Sequence, residues 1–130
     1  MPQAFEQTII VAPGDIDQLG HVNNVTYLRW VQDIAVAHWT TNAPEEDQRK
    51  LLWIVLRHEI DYKQPAYVGE TILARTWVGP ASRLKFERHT EFTRGGVLLA
   101  KARTIWCPLD AVTVKPVEVG PEVRAKFSSD

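Results

Sequence analysis

The sequence has little cysteine, no long apolar run and almost no net charge, and each shortage excludes a class of protein. A single cysteine, Cys107, cannot form an internal disulfide, so we expect a reducing, cytoplasmic environment. No apolar run approaches the ~18 residues that cross a bilayer. The first residues also lack the basic and apolar segments of a secretion signal. We therefore expect neither a membrane partner nor export.

The net charge of -1 provides no attraction to nucleic acid, so no nucleic-acid partner is expected. A phosphate-bearing ligand would have to be held by local Lys and Arg side chains. The Cys and His residues do not show the spacing of zinc ligands, and we predict no metal site. Hydrophobic residues make up 45% of the 130 residues, which is typical of a globular chain. The length predicts one domain, residues 1–130.

The order of the predicted elements indicates an α+β protein. One long helix is predicted from Asn24 to Trp39, because apolar residues recur there at helical spacing without Pro or Gly: Val25, Leu28, Val31, Ile34, Ala35 and His38. The β-forming segments are Phe5 to Val11, Leu51 to Tyr62, Thr71 to Val78, Arg83 to Arg94 and Val97 to Cys107, with a possible short sixth at Asp110 to Pro116. We therefore predict an antiparallel sheet of five to six strands wrapped around one central helix.

Two details refine this prediction. Residues 83–94 alternate between an apolar and a polar face, and Gly95-Gly96 follows as a two-residue hairpin turn. Pro121 predicts a last helical turn, since Pro is favoured at the first helical position.

The apolar segment Leu51 to Leu56 indicates burial against a second subunit. His38, His58 and His89 lie in periodic helix or strand patterns, and no chemistry is assigned to them.

The polar run from Asp15 to Asn24 lies directly before the long helix. A carboxylate can act as base or nucleophile, an imidazole can transfer protons near neutral pH, and a helix N-terminus presents unpaired N–H groups to a negative charge. Simpler roles are available for each residue. Asp15 and Asp17 suit turns, Asn23 and Asn24 suit helix caps, and His21 suits a structural hydrogen bond.

The run from Asp15 to Trp30 resembles the signature of hotdog-fold acyl thioesterases of the 4-hydroxybenzoyl-CoA thioesterase type, with an aspartate three residues before a glycine. The segment from Ile60 to Glu70 is similar to the second strand and turn of that fold. This resemblance implies that Asp17 is the catalytic carboxylate and that the backbone N–H of Asn24 polarises the thioester carbonyl. It also places Gly20 and Tyr27 at the substrate. Asp15 keeps the role of a turn residue.

A second resemblance concerns His21-Val22-Asn23-Asn24, which is similar to the motif of plant acyl-acyl-carrier-protein thioesterases. It adds His21 and Asn23 as candidate catalytic residues, and leaves open whether the acyl group arrives on coenzyme A or on a carrier protein. Coenzyme A would be part of the substrate, so no cofactor is expected. A non-catalytic acyl-thioester-binding module is the alternative. A hotdog dehydratase is disfavoured because its catalytic spacing is lacking.

The basic residues that open the fourth predicted strand, Arg83 and Lys85 with Ser82 before them, resemble the family's contacts to the coenzyme A phosphates. Charges on an edge strand can instead guard against aggregation. The resemblance further implies that the pocket lies between protomers, so we expect a homodimer that pairs into a homotetramer.

Overall fold

The computed structural model describes residues 4–128, which form a five-stranded antiparallel sheet with one long helix packed against it. The strands are β1 (Phe5–Ile10), β2 (Leu51–Tyr62), β3 (Thr71–Ala81), β4 (Phe86–Arg94) and β5 (Val97–Asp110). The helices are α1 (Asn24–Asn42), α2 (Glu45–Lys50) and α3 (Pro121–Phe127), with a 3-10 turn at Pro13–Asp15. The order of strands across the sheet is β1-β3-β4-β5-β2. The predicted α+β class is confirmed.

Strand β4 shows why the sheet forms. Its residues alternate between buried and half-buried positions from Phe86 onward, so one face packs on the core, as the sequence pattern predicts. The hairpin to β5 pairs Arg94 with Val97, and Gly95 and Gly96 between them have φ of +54° and +82°. This left-handed backbone is available to glycine at little cost, which explains the Gly-Gly pair.

Helix α1 begins where predicted but presents a slightly different face to the sheet. The side chain of Asn23 accepts a hydrogen bond from the N–H of Val25 at 2.9 Å and caps the helix. The buried face consists of Thr26, Tyr27, Trp30, Val31, Ile34, Ala35 and His38. Val25 was predicted to lie on that face, but it is 68% exposed, because the buried stripe is centred on the aromatic residues that follow it.

Several predicted boundaries and elements differ from the structure. Helix α1 continues to Asn42, and the charged segment after Pro44 forms α2, whose Glu46–Lys50 pair stabilises a helix that buries no residue. Strand β4 begins at Phe86 and not at Arg83, because the preceding residues form the β3–β4 turn. The short sixth strand at residues 110–116 is wrong. Asp110 accepts two backbone N–H bonds there and closes a turn, leaving one isolated bridge between Leu109 and Pro116.

The core has two parts along α1. The first lies under the N-terminal half of the helix and includes Tyr27, Trp30 and Phe92. The second lies under its C-terminal half, where α3 covers the sheet and Trp39, Trp53, Phe86, Trp106 and Phe127 gather. None of the helices in residues 4–128 is long and apolar enough to cross a membrane.

Candidate active site

The polar run folds into a loop that Asp15 fixes to helix α1. Asp15 is buried, and its carboxylate accepts the N–H of Ala12 at 2.9 Å and pairs with Arg29 at 2.8 Å. Its backbone carbonyl accepts the N–H of Asn23 at 2.9 Å. These bonds fix the loop both where the polar run begins and where it meets helix α1. This arrangement gives Asp15 a structural position and leaves it little freedom for chemistry.

Asp17 lies at the tip of this loop and is half-buried. One carboxylate oxygen, Oδ1, accepts the N–H of Leu19 at 2.8 Å, and the backbone carbonyl accepts the N–H of Gly20 at 3.0 Å. The other oxygen, Oδ2, has no hydrogen bond partner among residues 4–128. Gly20 has φ of +87°, which closes the turn. Asp17 is therefore oriented through one oxygen while the second is available to a substrate or a water molecule.

His21 follows on the same loop. Its Nδ1 lies 3.4 Å from the carbonyl oxygen of Val22, and the backbone carbonyl of His21 accepts the N–H of Asp17 at 3.1 Å. Within the described part of the chain, no hydrogen bond joins the imidazole to the carboxylate of Asp17. The two side chains therefore do not form a preassembled pair.

The start of helix α1 provides the candidate oxyanion donor. The N–H groups of Val25, Thr26 and Tyr27 all bond to Asn23, through its side chain or its carbonyl. The N–H of Asn24 has no partner among residues 4–128. A free N–H at the first position of a 19-residue helix also lies at the positive end of the helix dipole. This geometry suits a developing negative charge on a carbonyl oxygen.

A cleft of about 240 Å³ opens beside this N–H. Its lining residues are His21, Val22, Asn24, Tyr27, Tyr62, Lys63, Gln64 and Pro65. Tyr27 is only 3% exposed, and its hydroxyl has no hydrogen bond partner among the described residues. Burial raises the pKa of Tyr27 to about 12, so the hydroxyl stays protonated and can donate. The cleft therefore holds an unused buried donor as well as the free backbone N–H.

Five of the lining residues were not among the predicted site residues, and Tyr62 and Lys63 are two of them. They come from the end of β2, and the hydroxyl of Tyr62 donates to the carbonyl of Asn24 at 3.4 Å. The available signal was the position of both residues in the second family-like segment, 60–70. Neither residue type alone would have identified them.

The predicted phosphate contacts lie elsewhere in the protomer. Ser82, Arg83 and Lys85 form the β3–β4 turn, where Arg83 pairs with Glu118 at 3.1 Å and the hydroxyl of Ser82 accepts the N–H of Lys85 at 3.2 Å. The loop that carries Asp17 follows Val11 at the opposite end of β3, where the N–H of Val11 donates to the carbonyl of Glu70. The length of β3 places the turn roughly 30 Å from that loop. One protomer does not bring the two sets together.

The chain belongs to the thioesterase-like superfamily, whose sequence pattern matches residues 11–127. The predicted enzyme class, thioester hydrolase, agrees with this family. A chloroplastic acyl-acyl-carrier-protein hydrolase from Cuphea viscosissima is 26% identical over 86 residues, which is 65% of this chain and 21% of that protein. The chain thus spans about a fifth of the length of that relative.

Two solved structures share the fold. A 1,4-dihydroxy-2-naphthoyl-CoA thioesterase from Synechocystis is 19% identical, with a TM-score of 0.80 and coverage of 95% of both chains. A protein from Staphylococcus aureus, solved in complex with CoA, is 13% identical with a TM-score of 0.87, covering 97% of this chain and 82% of that one. The predicted hotdog fold is confirmed.

Proposed function

We propose that the chain hydrolyses an acyl-CoA thioester, with Asp17 as nucleophile or general base and the N–H of Asn24 as oxyanion donor. The observation that carries the proposal is the presence of two unused groups in the loop before α1 and at the first residue of that helix. One is the free Oδ2 of Asp17 and the other is the unpartnered N–H of Asn24. The family supplies the reaction class. The carboxylate of Asp17 can accept a proton from water or attack the carbonyl carbon, and the N–H of Asn24 can donate a hydrogen bond to the oxyanion.

In the proposed reaction the thioester carbonyl oxygen accepts the N–H of Asn24. Water, deprotonated by Asp17, adds to the carbonyl carbon, or the carboxylate of Asp17 adds directly and water later cleaves the mixed anhydride. The carbon–sulfur bond breaks, and the thiolate leaves with the electron pair and is protonated. The free acid takes its new oxygen from water. Coenzyme A departs as a product, so the proposal includes no separate cofactor.

The other residues of the site are assigned supporting roles. Asn23 caps α1 and so fixes the direction of the N–H of Asn24. Gly20 forms the turn that holds Asp17, and Tyr27 offers its unpartnered hydroxyl to the substrate. His21 lines the same cleft, where its imidazole can orient a water molecule. The acyl-carrier-protein thioester is the alternative substrate, and the similarity to the Cuphea hydrolase favours keeping it in any test.

A homodimer is part of the proposal, because β2 forms one edge of the sheet and carries exposed apolar residues. Leu52, Ile54 and Leu56 are 46%, 41% and 49% exposed on this strand. Pairing of two such edges would bury these side chains and satisfy the unpaired backbone groups. The basic turn at Arg83 lies too far from Asp17 in its own protomer, so contact with the coenzyme A phosphates requires the turn of a second copy. Pairing of two dimers into a tetramer and a cytoplasmic location remain predictions.

Thiol release from a panel of acyl- and aroyl-CoA thioesters, with carrier-protein thioesters alongside, tests the proposal. We expect Asp17→Asn to lower kcat at least about 100-fold, as loss of an acid–base group typically does. Asp33→Asn is the matched control, since Asp33 is an exposed carboxylate on α1. Full activity in Asp17→Asn would refute the mechanism. Binding of acyl-CoA without thiol release in the wild type would instead favour the binding module.

A further inference from the structure

A second cavity lies under the C-terminal half of α1, away from the catalytic loop. It has a volume of about 70 Å³ and is bounded by α1, α3 and the sheet. Its lining residues are Ala35, Val36, Trp39, Trp53, Val78, Phe86, Arg88, Trp106, Val123 and Phe127. None of them lines the cleft at Asn24. The helical rise between Asn24 and Val36 separates the two sites by about 18 Å. The cavity is thus a distinct site with an almost wholly apolar wall.

Arg88 is the one charged residue in this wall. It is 7% exposed, and its Nη1 contacts Nδ1 of His38 at 3.0 Å and the hydroxyl of Thr76 at 3.1 Å. No carboxylate among residues 4–128 lies within ion-pair distance of it. Burial lowers the pKa of Arg88 to about 10, so the guanidinium remains charged at neutral pH. A buried charge without a counter-ion is costly, which indicates that an anion is missing from its surroundings.

His38 does not supply the missing negative charge. Burial, and to a smaller degree the charge of Arg88, lowers the pKa of His38 to about 4. The imidazole is therefore neutral at pH 7. Because Nδ1 faces an N–H of Arg88, it accepts that hydrogen bond and the ring hydrogen resides on Nε2. Both partners of the guanidinium are neutral, and its remaining nitrogens have no partner among the described residues.

Two further residues of the same wall, Trp53 and Trp106, carry unused donors. The indole nitrogens of Trp53 and Trp106 are buried and have no hydrogen bond partner among residues 4–128. An indole N–H can only donate, as can a guanidinium. Trp53 comes from β2, Trp106 from β5 and Arg88 from β4, so three residues with unused donors reach one apolar cavity from three strands. Such a set is suited to the oxygens of an anion with an apolar body.

We propose that this cavity binds a small organic carboxylate, whose oxygens accept hydrogen bonds from Arg88, Trp53 and Trp106. A water molecule needs about 10–15 Å³ of such space, so the cavity has room for about five water-sized groups. A carboxylate with a short alkyl chain fits this size. The aromatic rings enclose the chain, and the guanidinium gains a counter-ion. This inference is independent of the proposed thioester hydrolysis, because it concerns other residues and is tested by binding alone.

Calorimetric titration with butyrate and with butyramide, its neutral counterpart of equal size, tests the site without any mutation. Quenching of fluorescence reports the same event, since Trp39, Trp53 and Trp106 line the cavity. We expect butyramide to bind at least about tenfold more weakly than butyrate, as loss of charge-assisted hydrogen bonds implies. Equal binding of the two ligands, or no binding of butyrate at millimolar concentration, would overturn the proposal.

Variants locate the bound anion. Trp106→Phe keeps one aromatic ring but removes the five-membered ring that carries the N–H donor, and Arg88→Met removes the charge at similar length. We expect each change to weaken butyrate binding about tenfold or more. Trp77→Phe is the matched control, because Trp77 lies outside this cavity and stacks on His89. Its affinity should match the wild type. Unchanged affinity in Trp106→Phe, whose fold is checked by circular dichroism, would show that butyrate binds elsewhere and refute the assignment.

Discussion

Replacing Asp15 by alanine should lower the free energy of unfolding, whereas replacing the nearby Asp17 by alanine should change it little. Asp15 is 7% exposed and loses two partners in the variant. The ion pair with Arg29 contributes at most about 1 kcal/mol, because the Arg29 side chain is 58% exposed and its charge is screened by solvent. The hydrogen bond from the N–H of Ala12 to a carboxylate contributes about 1.5 kcal/mol more. We expect a loss of about 2 kcal/mol in the free energy of unfolding.

Thermal and urea unfolding at neutral pH measure this loss, which corresponds to roughly 6–10 °C in Tm for a domain of this size. Arg29→Met separates the two contributions, because it removes the ion pair alone and should cost less than about 1 kcal/mol. Asp17→Ala loses a single exposed turn bond and should stay within about 1 kcal/mol of the wild type. An unchanged Tm in Asp15→Ala would refute the anchoring role. Equal destabilisation by Asp17→Ala would show that Asp17, too, is structural.

Three further predictions concern single residues. The pKa of His38 is about 4 in the fold and 6.5 in the unfolded chain, so the unfolded state binds the proton first and stability falls as pH drops from about 6.5 to 4. The free energy of unfolding falls by about 3 kcal/mol over this range. In His38→Gln, urea unfolding should show a smaller fall over the same pH range. Asn23→Ala removes the cap of α1 and should cost about 1 kcal/mol by the same assay, with Asn42→Ala at the other end of the helix as control. Gly20→Ala forces a side chain into φ of +87° and should lower Tm by several degrees, whereas Gly120→Ala should not.

Local patterns in the sequence were sufficient for much of the fold. The alternation of β4, the Gly95-Gly96 turn and the cap at Asn23 each depend on residues a few positions apart, and all three are confirmed. The failures came where short-range signals compete. Residues 110–116 are rich in β-formers, but Asp110 binds its own backbone and makes a turn. The propensity of the segment was outweighed by one side chain.

The site was predictable only in part. The loop and the start of α1 adjoin in sequence, so their closeness along the chain was enough to propose Asp17 and Asn24 together, and their catalytic roles stay predictions. Tyr62 reaches the cleft at Asn24 from strand β2. At the second cavity, the contact between His38 and Arg88 joins residues 50 positions apart. His38 was assigned no chemistry because periodicity identifies a buried position without naming what lies opposite. Such contacts depend on the packing of α1 across the sheet, which no local pattern encodes.

The order of strands in the sheet determines when the chain can fold during its synthesis. Among residues 4–128, strand β1 pairs with β3 alone and β2 pairs with β5 alone, so neither early strand has a pairing partner in the described residues up to position 70. At a typical rate of translation, β2 waits roughly two to ten seconds for β5 to be made. Throughout that time its apolar side chains can contact the elements already made, chaperones or other nascent chains. The edge strand that we propose as the dimer surface is therefore also exposed to aggregation before the chain is complete.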